Sequence, residues 1–255
     1  MPIQTYTLLF VLVSLPVNIA GDTEDQNAFD ATTLLTNAVE LTRGSSSHAE
    51  IEMTIHRPEW TRSSSFETWT QGLDKALIRF ITPPRDAGNA TLKNGDRMWT
   101  YSPKVRRTIR LPSSMMSQNW AGSDFSYSDL SRSDEILTQY SHEIISTRVE
   151  ENYKIYTIEA TPKKNSPVVW GKEVLDIRAD YVILKHSFFD QSRELVKTIQ
   201  TLEIAELGGR TMPIRMRVSS KDEPEKWTEI RYEKAEFDIE IDDNKFSLFS
   251  LRSSN

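Results

Sequence analysis

The sequence predicts a mostly β (α+β) protein, built on one large, curved antiparallel sheet with helices against its concave face. Apolar residues recur with a spacing of two along most of the chain, which is the period of half-buried strands. More than ten such segments follow one another with short, turn-rich connections, and these favour antiparallel neighbours. A sheet of that width must curl, split or close. The two evident helical segments are too few to cover both faces, and a two-sheet sandwich is the alternative.

The composition indicates one folded domain, at 21–255, without disulfides. The chain has 255 residues, of which 38% are hydrophobic, and it contains no cysteine. No repeat, heptad or linker divides it, and a single all-β domain of this size is common. The net charge of −6 argues against a nucleic-acid partner. Cysteine nucleophiles, thiolate metal sites and lipid-modified cysteines are excluded.

Residues 1–20 have the character of a secretory signal peptide. They carry no charge, and their apolar core at 8–15 is shorter than the roughly 20 residues that span a bilayer. Small residues at Ala20 and Gly21 suit cleavage after position 20. Asn18 and the lack of an early Lys or Arg fit less well, so an uncleaved anchor is the alternative. Cleavage predicts a mature protein in an envelope compartment, most simply a bacterial periplasm.

The first predicted element is a helix that Asp30 caps and Gly44 ends. Its apolar residues fall at helical spacing: Ala31, Leu34, Leu35 and Ala38, followed by Thr42. The period then changes to two. In HAEIEMTIH, the residues at 49, 51, 53 and 55 are apolar and alternate with polar ones, which predicts a half-buried strand.

The remaining elements are predicted mainly as strands. In chain order they are 63–70, 75–81, 90–92, 98–101, 105–111, 142–149, 153–161, 173–177, 181–189, 195–205, 211–219 and 228–237. Residues 112–136 lack a clear period, and we expect a short helix there with Ser128 as its N-cap. A terminal piece, NKFSLFSL, closes the domain.

Catalytic and phosphate-binding motifs are absent from the sequence. His48 and His56 share a strand face with Glu50 and Glu52, an arrangement compatible with zinc. A solvated strand face explains these four residues equally well, and we prefer that interpretation. No metal and no cofactor is therefore predicted.

Asp124 and Asp129 lie beside serines, which raises the hypothesis of a hydrolase. No histidine or lysine within the same segment completes an acid–base arrangement. Aspartates in such contexts more often cap turns and helices. We therefore expect both to orient the segment, and we predict a binding protein rather than an enzyme.

A basic run, KVRRTIR, precedes this segment. On a strand, Arg106 and Arg110 lie on one side, and Arg107 and Ile109 lie on the other. A charged outer face that protects the sheet edge is one interpretation. The alternative is that Arg107 points inward, where it anchors the helical segment or meets a polar headgroup.

Aromatic and methionine side chains are dense around the basic run. Core packing accounts for many such residues, but two adjacent methionines in a segment without periodicity suit a mobile apolar flap for variable apolar ligands. We expect a hydrophobic cavity and flap lined by Trp99, Tyr101, Met115, Met116, Trp120 and Phe125, with Phe66 and Trp69 contributing from a strand. The same surface is alternatively a protein interface.

The stretch NGDRMWTYSPKVRR, followed by a loop and GSDF, resembles the signature of the LolA/LolB-type outer-membrane lipoprotein-sorting family, in its LolA-like branch. The shared pattern is a Gly turn, a Trp-x-Tyr-x-Pro strand, a basic strand, and then GSDF with Asp-Leu. The matching residues are Gly95, Trp99, Tyr101, Pro103, Arg106, Arg107, Gly122, Ser123, Asp124, Phe125, Asp129 and Leu130.

This resemblance implies an unclosed β-barrel whose concave apolar cavity is covered by helices. It also implies a periplasmic carrier for acylated lipoproteins or lipids, with an inner-membrane transporter and an outer-membrane acceptor as partners. An accessory module of an envelope export transporter is the alternative, since the LolA-like branch accompanies such systems. The arginine that latches the lid in LolA carriers has no identified counterpart in this sequence.

Overall fold

The computed structural model describes residues 30–131 and 135–253, and one antiparallel sheet of 13 strands dominates it. The 1–20 segment, predicted to be a signal peptide, lies outside the described residues. The strands are β1 Ser46–Arg57, β2 Trp60–Gln71, β3 Lys75–Thr82, β4 Ala90–Asn94, β5 Arg97–Ser102, β6 Arg107–Arg110, β7 Tyr140–Glu150, β8 Tyr153–Pro162, β9 Lys172–Arg178, β10 Ile183–Phe189, β11 Leu195–Leu207, β12 Arg210–Ser220 and β13 Trp227–Phe237.

The helices are few and mostly short. They are α1 Ala31–Arg43, α2 Tyr127–Ser131, α3 Glu135–Thr138 and α4 Leu248–Arg252, with 3₁₀ turns at Ser113–Met115, Trp120–Gly122 and Asp243–Phe246. Within the described part of the chain, none of these helices is long and apolar enough to cross a bilayer.

The strand order explains how the motif segment reaches the concave face. From edge to edge, the order is β6-β5-β4-β3-β2-β1-β13-β12-β11-β10-β9-β8-β7. Strands β6 and β7 follow each other in the chain, yet they form opposite edges of a sheet that is not closed into a barrel. The connection between them must therefore cross from one edge to the other. We call residues 112–131 of this connection the cover segment.

Helix α1 forms as its sequence predicts. The Asp30 carboxylate accepts a hydrogen bond from the Thr33 amide at 3.0 Å, and Gly44 ends the helix with φ 63°. A side chain at Gly44 would be strained at this φ. The buried face of α1 packs with residues of β7, β8 and β9 and with α3, in a cluster that includes Leu34, Leu35, Ile136, Ile158 and Leu175.

Strand β1 places its four predicted apolar residues inside the fold, where Met53 and Ile55 are fully buried. They belong to a second cluster on β1, β2 and β3, which contains Phe66, Phe80 and Trp120. Alternation along the strands accounts for both clusters. It puts the even-numbered residues of β2 and β3 on the face that the cover segment packs against.

The opposite face of β3, β4 and β5 is covered by the C-terminal segment. Phe246 and Leu251 are buried there against Leu77 and Leu92. Arg79 is also buried, and its guanidinium donates to the carbonyls of Ser250 and Ser253. Helix α4 therefore differs from the expectation that the helices lie against the concave face.

Further details differ from the sequence-based expectations. The sheet is continuous, so the sandwich alternative is wrong. Strands β6 and β10 begin two residues later than predicted, because Arg106 and Tyr181 adopt positive φ angles of 51° and 72° in the preceding turns. Ser126, rather than Ser128, caps α2. Its hydroxyl accepts from the Asp129 amide at 3.2 Å and the Asp129 carboxylate accepts from the Ser126 amide at 2.7 Å, a reciprocal capping box.

Candidate functional site

A cavity of about 400 Å³, the main cavity, lies between the sheet and the elements that cross it. Its floor is the apolar face of the central strands. Its cover is formed by α1, by α3 and by the cover segment, which contains α2. Most of the lining is aliphatic or aromatic, including Leu35, Val39, Ile51, Phe66, Ile78, Phe125, Ile199 and Ile230. The volume falls in the range of about 300–1,000 Å³ that is usual for small-molecule sites.

Trp120 anchors the cover segment to the sheet. Its ring lies 5.5 Å from the ring of Phe66 and 5.4 Å from that of Phe80. Its indole N–H donates to the Thr91 hydroxyl at 3.1 Å, and only 3% of the residue is exposed. Trp120 lines the main cavity on one side and a smaller cavity of about 270 Å³ on the other. It is therefore a fixed wall between them.

The GSDF turn docks on β1 and β13 through its polar groups. The Asp124 carboxylate accepts from both terminal nitrogens of Arg57, at 3.0 and 3.1 Å, and from the Thr228 hydroxyl at 2.6 Å. The buried Ser123 hydroxyl donates to the Trp120 carbonyl at 2.7 Å and accepts from the Phe125 amide at 3.1 Å. This turn directs the Phe125 ring into the main cavity.

A second ionic contact fastens α2 to the far side of the sheet. The Lys197 ammonium of β11 lies 2.5 Å from Asp129 Oδ2, and the two side chains are only 10% and 11% exposed. The ammonium also lies 4.8 Å from the Phe188 ring centre and 5.1 Å from that of Trp170. The cover segment is thus held by Arg57 at one side and by Lys197 at the other.

The end of the main cavity near β9 and β10 is polar. The His186 ring N–H donates to the Glu173 carboxylate at 2.6 Å, and the Tyr140 hydroxyl donates to the Trp170 carbonyl at 3.1 Å. Burial, followed by the nearby Glu173 carboxylate, raises the pKa of Tyr140 far above its ordinary value. Burial also raises the pKa of Tyr232 on the cavity lining. Burial therefore favours the neutral form of both phenols.

The structure brings together only part of the set that the sequence predicted for the cavity. Phe66, Trp120, Phe125 and Asp129 line it. Asp124 lies at its margin in the contact with Arg57. Asp124 contacts Arg57 and Asp129 contacts Lys197, and both contacts join the cover segment to the sheet.

Other predicted residues lie elsewhere. Trp69, Trp99 and Tyr101 pack against the C-terminal cluster on the opposite face of the sheet, because they occupy the other strand register. Met115 and Met116 are half-exposed in a 3₁₀ turn and do not line the main cavity. Arg107 is exposed on the edge strand and lines the smaller cavity, so the contact expected of Arg107 is made by Arg57 instead.

Sequence reasoning missed the two basic residues that form ion pairs with the cover segment. It also missed the aliphatic cavity floor that the later strands form. The inward position of Lys197 could have been predicted, because Lys197 lies two residues before Ile199 on the same strand and therefore on the same face of the sheet. The role of Arg57 could not have been predicted, because a residue at the end of an exposed hairpin is ordinarily solvated.

The histidines on β1 lie against aromatic rings, and His48 also lies near the carboxylates of Glu67 and Glu236, at 3.8 and 3.6 Å. His48 stacks on Trp69 at 4.9 Å, and His56 stacks on Trp227 at 4.8 Å. In the described ranges no group of three or more His, Asp or Glu side chains is arranged to hold a metal ion.

Three solved structures share this fold over nearly their full lengths. A DUF1329 family protein from Desulfovibrio piger is 23% identical, with a TM-score of 0.77, covering 87% of this chain and 97% of that one. A domain described as an outer membrane lipoprotein-sorting protein, from Vibrio parahaemolyticus, is 21% identical with a TM-score of 0.76, covering 88% and 98%. A LolA superfamily protein from Nitrosomonas europaea is 19% identical with a TM-score of 0.73, covering 88% and 100%.

No curated protein matches the sequence. A family model whose description reads "Uncharacterized protein" matches residues 72–253, which is more than half of the chain. The chain therefore belongs to that family, and its fold is the LolA-like fold of outer-membrane lipoprotein-sorting proteins that the turn-and-strand motif predicted.

Proposed function

We propose that the protein is a carrier that holds the acyl chain of a lipoprotein or lipid in the main cavity for transfer to the outer membrane. The observation that carries the proposal is the apolar space of about 400 Å³ between the sheet and its cover. Burial of an acyl chain stabilises a complex by about 0.8 kcal/mol per methylene, so twelve methylenes supply ~10 kcal/mol in the ideal case. That is enough to keep a lipid out of water.

A carrier must also release its cargo, and the attachment of the cover segment suits this requirement. The segment is held by two side-chain ion pairs, by side-chain hydrogen bonds from Trp120, Thr228 and Arg62, and by packing, rather than by strand pairing with the sheet. Such contacts can break and re-form without disturbing the strand ladder. The proposal is of binding and transfer, with Asp124 and Asp129 holding the cover rather than acting on a substrate.

The comparisons support this role by analogy. One structural neighbour is described as an outer membrane lipoprotein-sorting domain and another as a LolA superfamily protein. The uncharged 1–20 segment adds support for export to the periplasm. Together they favour a periplasmic carrier that works between an inner-membrane transporter and an outer-membrane acceptor.

The test begins with the chain from Gly21, purified from the periplasm of an expressing bacterium. Organic extraction and mass spectrometry are expected to find a lipid or acylated peptide bound near one per protein. The delipidated protein is then titrated calorimetrically with a peptide bearing an N-terminal acyl chain and with the same peptide unacylated. We expect saturable binding of the acylated form alone. No extracted lipid and equal behaviour of the two peptides would refute the carrier function.

A second candidate function is an accessory module of an export transporter, with the apolar flap as a protein interface. The half-exposed positions of Met115 and Met116, outside the main cavity, favour it. The double substitution of both methionines by glutamate separates the two functions. Loss of a transporter partner with acyl-peptide binding intact would assign the methionines to an interface, whereas normal partner binding would exclude this role.

A further inference from the structure

The contact between Lys197 and Asp129 is a buried ion pair, which is an unusual way to hold a helix beside an apolar cavity. Lys197 is 8% exposed, and it shares its strand face with Ile199 on the floor of the main cavity. Burying an ion pair costs desolvation free energy that the Coulomb attraction often fails to exceed, so an apolar pair of similar size would serve packing at least as well. The pair therefore needs an explanation other than stability.

The surroundings of Lys197 lead directly into the main cavity. Asp129, Trp170 and Phe188 all line the cavity, and all three contact the Lys197 ammonium. Lys197 itself lies behind them. Movement of α2 away from the sheet would remove Asp129 and leave the ammonium between two aromatic rings at the cavity wall.

The other charged groups at this end do not compete for Lys197. Phe188 pairs in register with Glu173 on one side and with Lys197 on the other, so the three residues form one row across β9, β10 and β11. Glu173 is bonded to His186. Glu135, which also lines the cavity, lies within electrostatic reach of Tyr140. Among the described residues, the carboxylate paired with Lys197 is that of Asp129.

We propose that Lys197 binds the anionic headgroup of the amphiphile whose hydrocarbon chain fills the main cavity, and that Asp129 occupies the headgroup position when α2 is closed. The ligand class is an alkyl chain carrying a phosphate or a carboxylate. Ligand entry exchanges one anion for another at Lys197, so the buried ammonium is never left without a partner. This exchange couples headgroup recognition to release of the cover segment. The inference rests on the proposed binding of acyl chains.

Three probes with one chain length test it: dodecyl phosphate, dodecanoate and dodecyl maltoside, each titrated calorimetrically below its micelle concentration. The unmodified protein is expected to bind an anionic probe roughly tenfold more tightly than the neutral one, as for one charge-assisted contact. Preference for dodecyl phosphate indicates a phosphorylated lipid, and preference for dodecanoate indicates a free acid. Equal affinity for all three overturns the inference, whereas no binding of any probe overturns the carrier function itself.

Variants locate the effect at Lys197. Lys197→Met is expected to lower the anionic-to-neutral affinity ratio to about one. Asp129→Asn is expected to raise that ratio about tenfold, since it removes the internal competitor. Lys185→Met, at an exposed position on β10, is the matched control and keeps the ratio of the unmodified protein. If Lys197→Met does not fold, the double variant with Asp129→Asn leaves no unpaired charge and takes its place. A preference that survives either Lys197 variant overturns the assignment.

Discussion

Replacing Thr68 by tryptophan is expected to obstruct the main cavity without weakening the sheet. Thr68 lies on β2 between Ala49 of β1 and Ile78 of β3, and all three residues line the cavity floor. It is only partly buried, so an indole at this position extends into the cavity rather than into packed side chains. Tryptophan is also favoured in strands.

The magnitude follows from the volume that the indole removes. If the ring displaces about four methylenes of a bound acyl chain, the loss is ~3 kcal/mol at about 0.8 kcal/mol each. A free-energy loss of this size raises the Kd by more than roughly a hundredfold. The unfolding free energy should stay within about 1 kcal/mol of that of the unmodified protein.

Calorimetric titration with the acylated peptide measures the affinity, and urea unfolding followed by far-ultraviolet circular dichroism measures the stability. Ser63→Trp is the matched control, because Ser63 lies on the same strand but on its exposed outer face. It should bind the peptide normally. Unchanged affinity of the folded Thr68→Trp variant would show that the acyl chain does not occupy this cavity.

Three further changes test the attachment of the cover and the geometry of a turn. Trp120→Ala should lower the unfolding free energy, measured in urea, by about 3–5 kcal/mol, and Trp120→Phe should lower it by only about 1 kcal/mol. Equal losses for the two variants would show that the ring contacts do not stabilise the fold. Asp124→Asn should loosen the cover segment by about 2 kcal/mol, because it breaks the partly buried pair with Arg57. Hydrogen exchange should then accelerate in residues 120–131 but not in β1, and a uniform change would contradict the local role. Gly208→Ala should be more destabilising than Gly209→Ala, since both have positive φ but only at Gly208 does an added Cβ meet neighbouring backbone, at 2.6 Å; equal thermal midpoints would contradict this.

Local elements were predictable because their causes are local. Asp30, the apolar spacing of α1 and Gly44 lie within one short stretch, and each acts through contacts only a few residues away. The strands were predictable from alternation for the same reason. The predicted starts of β6 and β10 were each two residues too early, because Arg106 and Tyr181 adopt positive φ angles although neither is a glycine.

The composition of the cavity was only partly predictable. Alternation divides the side chains of a strand into two sets, but it does not say which set faces the concave side. Phe66 and Trp69 lie on one strand in opposite registers, and the structure places only Phe66 in the cavity. An aromatic-rich stretch was therefore assigned to one site, although the sheet distributes it between two faces.

The sequence by itself determined the strands, the helix at Ala31–Arg43 and the motif of the LolA-like fold, since these depend on periodicity and on turns between near neighbours. Only the tertiary structure decided what holds the cover segment. Asp124 pairs with Arg57, which is 67 residues away in the chain, and Asp129 pairs with Lys197, which is 68 residues away. Pairs so distant in the chain meet because strand order brings β1 and β11 beneath one crossing connection, and no local pattern encodes that order.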